Sequence, residues 1–157
     1  MPPRSDNPVL RRLDRLVGTW RFEASIGGRT VGTGTATAEW IEGGTLLVLR
    51  SEGDEPGPGT PRDWVDHAPF PVTQVIGLDD AFDRFTVLYA DARGVSRVYA
   101  MTLDDDGWRM WRDAPGFNQR FAATVEDGGN VLAGAWEGSE DGVEWRHDFD
   151  LRFVRAG

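Results

Sequence analysis

Arginine, tyrosine and one histidine are the residues of this chain that could do chemistry. Tyr89, Arg97, Tyr99, Arg112 and Arg120 fall in segments of alternating polar and apolar residues. A guanidinium grips a carboxylate through paired, charge-assisted hydrogen bonds, and a phenol donates or accepts beside it. His147 lies late in the chain, in Trp145-Arg-His-Asp-Phe-Asp150, and is a candidate ligand or base. Other chemistries find little support. With no cysteine, a disulfide framework, a thiolate metal site and a cysteine nucleophile are excluded. Two histidines, His67 and His147, make a dedicated histidine metal site a poor reading, and no metal is expected. Neither a Gly-x-Ser-x-Gly elbow nor a Walker-type glycine loop occurs. The aspartates at Asp79, Asp80, Asp83 and Asp104 to Asp106 read as turn residues that bond their own backbone.

Strands joined by tight turns must position these side chains. The turn Asp91-Ala-Arg-Gly94 sets Tyr89 opposite Arg97 and Val87 opposite Tyr99. The next turn sets Leu103 opposite Trp108 and Met101 opposite Met110, and the Ala114-Pro-Gly116 turn sets Met110 opposite Arg120. One face then carries an apolar wall with Arg97, Arg112 and Arg120 set into it beside Tyr89, Tyr99 and Trp108. Trp136 joins the wall from a later strand, and Arg50 is a further anion contact in reserve. The competing reading turns the arginines outward, to surface carboxylates or to Asp91 and Glu39. A one-residue bulge would flip part of the set.

The rest of the chain has the same rhythm. Val9 to Val17 carries apolar residues at helical spacing, with Asn7 as cap, Pro8 at the first position and Gly18 as stop. From Trp20 the period becomes two, and turns arrive about every ten residues. Ten strands are expected: 20–26, 29–41, 45–51, 72–78, 84–90, 95–103, 108–113, 117–125, 131–136 and 143–154. The one long break, 52–71, holds five of the nine prolines. Trp64 and Phe70 within it suit a lid over a barrel mouth, with His67 beside them, or a dimer contact, which leaves a homodimer open. Such a meander hides its edges by closing into a barrel.

The totals bound the partners. The chain has 157 residues, 39% hydrophobic and 11% aromatic, enough for one core, with residues 1–8 read as a flexible tail. A net charge of -9 makes nucleic acid a poor partner. No apolar run has the length of a membrane helix and the N-terminus has no signal-peptide h-region, so a cytoplasmic location without membrane contact is expected.

Gly18-Thr19-Trp20 after a short helix, followed by a meander, resembles the calycin superfamily of lipocalins, fatty-acid-binding proteins and nitrobindin-like proteins. Segments such as Glu39-Trp-Ile-Glu-Gly-Gly44, Val75-Ile-Gly77, Arg97-Val-Tyr99 and Trp145-x-His-Asp-Phe-Asp150 look like a bacterial branch of that group. The resemblance implies an all-β fold, a calycin-like antiparallel barrel of about ten strands with one N-terminal helix, over residues 9–157. It implies that a basic residue near the last strand, Arg152 or Arg155, covers Trp20. It also implies a small hydrophobic or amphipathic ligand, including one that bears a carboxylate, held inside the barrel without a cofactor. One alternative is a small barrel enzyme with Tyr99, Asp91 or His147 as acid or base. Another is haem held by His147, although Trp20 is followed by Arg21-Phe-Glu-Ala24 and not by the glycines of the haem-binding relatives.

Overall fold

The computed structural model describes residues 6–157. Its frame is a closed barrel of ten antiparallel strands in chain order, β1 (Gly18–Ile26), β2 (Arg29–Ile41), β3 (Leu46–Gly53), β4 (Val72–Asp79), β5 (Arg84–Asp91), β6 (Ser96–Leu103), β7 (Trp108–Arg112), β8 (Asn118–Glu126), β9 (Val131–Ser139) and β10 (Arg146–Arg155). Strands β1 and β10 close the ring, from Trp20 opposite Arg155 to Ser25 opposite Asp150. Closure gives every strand two neighbours and leaves no open edge.

The N-terminal segment is an α-helical turn, α1 (Pro8–Arg11), continued as a 3-10 helix over Arg12–Leu16. Asn7 caps it by accepting from the Val9 N–H, and Pro8 takes the first position, where its missing N–H costs nothing. Residues 7 and 8 thus belong to the helix and not to a tail, and 1–5 lie outside the described residues. Leu10, Leu13 and Leu16 are all buried. Their spacing of three is the repeat of a 3-10 helix, which is why this stretch winds tighter than the expected α-helix. The three leucines plug one end of the barrel.

The interior has two halves. Near the plug it is solid, with Trp20, Leu47, Ile76, Phe85, Met101 and Trp108 all almost completely buried. Trp20 donates its indole N–H to the Leu16 carbonyl at 2.9 Å, and the Arg155 guanidinium lies 4.1 Å from its ring centroid. Arg155 also donates to the Val17 and Arg15 carbonyls, so one side chain ties the last strand to the plug. Arg152 projects to the exposed outer face of β10.

The long connection 52–71 differs from a plain loop. It contains a second short helix, α2 (Arg62–His67), and bends over the end opposite the plug. Trp64 meets Phe149 edge to face at 5.3 Å, and Phe70 stacks on Phe22 at 4.4 Å. Glycines on β2 make room for Trp64 of this cover and for Phe22, on which Phe70 stacks. A Cβ at Gly32 would stand 2.6 Å from the Trp64 indole nitrogen, and one at Gly34 would stand 2.3 Å from the Phe22 ring.

Candidate ligand-binding site

Beneath α2 lies a cavity of about 310 Å³, inside the barrel mouth. This is the lower end of the range for small-molecule pockets, about 300–1,000 Å³. Its apolar walls are Trp136, Phe149, Leu151 and Phe153, with Trp64 and Phe70 as the cover. Into them are set the polar side chains of Ser51, Gln74, Tyr89, Arg97, Tyr99 and Gln119.

Strand register explains this polar belt. Gln74 stands opposite Tyr89, and Tyr89 opposite Arg97. Two residues along β6, Tyr99 donates its hydroxyl hydrogen to Gln119 Oε1 at 2.7 Å. Inward positions on neighbouring strands therefore line up as one row across β4, β5 and β6, and Gln119 extends it from β8. Ser51, Gln74 and Gln119 are only 4%, 7% and 7% exposed, so these are interior polar groups and not rim decoration.

The electrostatics follow from burial. Desolvation, then the bond to Asp91, pushes the Tyr89 phenol far above its ordinary value. Desolvation also raises Tyr99, with the Arg97 guanidinium opposing it. Tyr89 gives its hydrogen to Asp91 at 2.7 Å, and Arg93 bonds the same carboxylate at 2.6 Å. Burial pushes Asp91 up, but the Arg93 and Tyr89 bonds outweigh it and hold the carboxyl below its ordinary range. Arg97 stacks 5.2 Å from the Phe117 ring centroid and makes no ion pair among the described residues.

One wall group owes its place to an irregularity. The β9–β10 register shifts between His147 and Phe149, and Asp148 is the extra residue. The bulge delivers Asp148 to the cavity mouth. Although solvent reaches one side of it, the mouth walls crowd its carboxyl. That desolvation raises its pKa, against the pull of Arg93 and His147.

The expected site residues divide. Tyr89, Arg97, Tyr99 and Trp136 line the cavity. Trp108 does not: it packs in the solid half, 5.0 Å from Phe121 and 5.9 Å from Phe153. Arg112 stands opposite Gln119, on the inward register of Met110, but it is not part of the cavity lining; it borders a separate groove with Arg84, Arg97 and Trp111, where the β6–β7 pairing ends at Ala100 and Trp111. Arg120 is on the outer face. Met110 pairs with Phe121, and Trp111 with Arg120, because the β7–β8 connection is longer than the Ala114–Gly116 turn alone. Its guanidinium bonds Glu137 at 2.9 Å and covers the Trp145 ring at 4.0 Å. Arg50 also faces out, 3.5 Å from Glu39.

His147 is exposed and outward, 2.9 Å from Asp150. Haem ligated there would sit outside the cavity, so the residues do not fit that group at this position. The three alternatives for an acid or base, Tyr99, Asp91 or His147, differ in their surroundings. Tyr99 is in the cavity, Asp91 is held by Tyr89 and Arg93, and His147 is outside.

Ser51, Gln74, Gln119 and Asp148 are site residues that the sequence reading missed. For Gln119 a signal exists: Gln119, Phe121 and Ala123 alternate with the exposed Arg120, Ala122 and Thr124. For Asp148 none does, since a bulge leaves no mark in a period-two pattern.

No family model matches this chain, and no curated protein matches it. Among solved structures it is similar to the crystal structure of Rv2717c from M. tuberculosis, with a TM-score of 0.65, 13% sequence identity, and coverage of 96% of this chain and 98% of that one. At that identity the likeness shows the barrel fold.

Proposed function

We propose that this protein binds a small hydrophobic or amphipathic molecule in the mouth half of a calycin-like barrel. The observation that carries the reading is the division of the interior: a solid half against the plug, and an open half walled by rings and crossed by buried polar side chains. Ligand pockets combine a mostly apolar lining with a few placed polar groups. The apolar body of the ligand lies against Trp136, Phe149 and Phe153. Its polar end meets the Gln74–Tyr89–Arg97 row, where Arg97 is the available partner for an anionic substituent. Trp64 and Phe70 exclude water from above.

Native mass spectrometry of protein purified without denaturation tests this. The expected result is a small-molecule adduct on the wild type that is lost in Ser51→Phe, which plugs the cavity. An adduct absent from the wild type, or retained in the plugged variant, contradicts the reading.

A further inference from the structure

The cavity's polar groups are not equally provided for. Tyr89 has Asp91, and Tyr99 has Gln119. Gln74 has no partner: its Oε1 is buried without a hydrogen bond, and its Nε2 finds none among the described residues. The Ser51 hydroxyl also has no hydrogen-bond partner among the described residues, and it opens on the cavity. The two are diagonal neighbours, since Ser51 stands opposite Val72 and Leu49 opposite Gln74. Buried polar groups are nearly always hydrogen-bonded, so the unpaired Gln74 oxygen, beside an amide nitrogen and a hydroxyl that also lack partners, asks for an explanation.

The need has a definite shape. A carboxamide presents an acceptor oxygen beside a donor nitrogen in one plane. Turning the amide by 180° exchanges its ends and leaves the same two requirements. A carboxylate supplies acceptors alone, and would set its lone pairs against the Gln74 oxygen. A ketone or ether has the same shortfall without the charge. A group with N–H next to C=O, as in a carboxamide, a lactam or a cyclic urea, closes both bonds at once, and the Ser51 hydroxyl serves its second lone pair or hydrogen. The cavity walls near Gln74 are aromatic rings: Tyr89 and Tyr99 meet edge to face at 5.6 Å, and Tyr99 and Trp136 at 5.5 Å. Such edges and faces suit a planar ring. The unpaired cation Arg97 stands near the start of β6, at the mouth.

We infer that the ligand is a planar aromatic molecule carrying a neutral amide-type group, which enters first and pairs with Gln74 and Ser51, while any anionic substituent stays near Arg97. This rests on the cavity being a binding site, and it names the chemistry that the site selects.

Isothermal titration with 2-naphthamide, 2-acetylnaphthalene and 2-naphthoate tests it on the wild-type protein, Gln74→Leu and Gln74→Met. The wild type is expected to bind the amide about ten-fold more tightly than the ketone or the acid. Both variants bring amide and ketone within about two-fold of each other. Neither variant should lose its fold, because each replaces an unpaired polar group with an apolar one of similar size. Tighter binding of naphthoate than of naphthamide overturns the amide assignment and leaves the binding site standing. So does an amide preference that survives in Gln74→Leu or Gln74→Met. Failure of all three probes to bind the wild type overturns the site along with its chemistry.

Discussion

The Tyr99 hydroxyl donates to Gln119 Oε1 at 2.7 Å, joining β6 to β8 across the short strand between them. Strand β7 ends at Arg112 and its pairing with β6 stops at Trp111, so this side-chain bond spans the place where the sheet ladder gives out. Tyr99→Phe removes the donor and strands a buried carbonyl. The expected cost is about 1–3 kcal/mol of stability. Chemical denaturation measures it, and Tyr99→Phe with Gln119→Leu together should recover part of the loss, because the orphaned group is then gone.

Arg155 and Trp20 form the corresponding tie at the plug. A guanidinium over an indole contributes about 0.5–2 kcal/mol, and the two carbonyl bonds of Arg155 add to that. Arg155→Ala is expected to lower the melting temperature clearly, and Arg152→Ala, on the exposed outer face, to leave it almost unchanged. Calorimetry on the two variants makes the comparison.

The solid and open halves respond differently to truncation. Trp108→Ala leaves a void in packed surroundings and is expected to cost about 3–5 kcal/mol. Trp136→Ala borders space that already exists, so its cost falls below that of Trp108→Ala, while binding in the cavity suffers more. Paired denaturation and binding measurements separate the two roles.

Two carboxylates, Asp148 at the mouth and Asp91 at the end of β5, carry opposite pH signatures. Crowding of its carboxyl by the mouth walls raises Asp148 above its ordinary 3.8, although the residue is exposed on one side. The stability its protonated form contributes is therefore complete below 3.8 and is lost as pH rises through the folded value. Asp148→Asn, always neutral, is expected to melt higher than wild type at pH 7, with the difference shrinking in acid. Asp91 is held below its ordinary 3.8. Its contribution is present above that value and disappears as pH falls through the lower, folded one, so Asp91→Asn is expected to melt lower at pH 7. Melting curves from pH 3 to pH 8 show both trends.

Much of the barrel was legible because the chain says the same thing at several levels. Period-two alternation and turn residues every ten positions located all ten strands, and the Asp91–Gly94 turn set Tyr89 opposite Arg97 as the structure has it. The site was legible only where hairpins are tight. At the β7–β8 connection a longer loop moved Arg120 from the expected inner face to the outer one and put Gln119 inside. Side-chain period is two, so one residue of slip reverses every assignment beyond it. Trp108 faces inward as expected, but no local pattern tells a filled level of the barrel from an empty one. That distinction depends on how side chains from β1, β6, β7, β8 and β10 add up in volume. The helix α2 is short, and its role comes from lying over Gly32, a contact between distant parts of the chain.

The central claim is that the mouth half of the barrel receives a small amphipathic guest. Titration with the fluorescent amphipathic anion 8-anilinonaphthalene-1-sulfonate, on the wild type and on Ser51→Phe at matched melting temperature, tests it most directly. Saturable one-to-one binding to the wild type, weakened about ten-fold or more by the plug, is the predicted result. Binding of equal strength to both proteins, or none to the wild type, would contradict it.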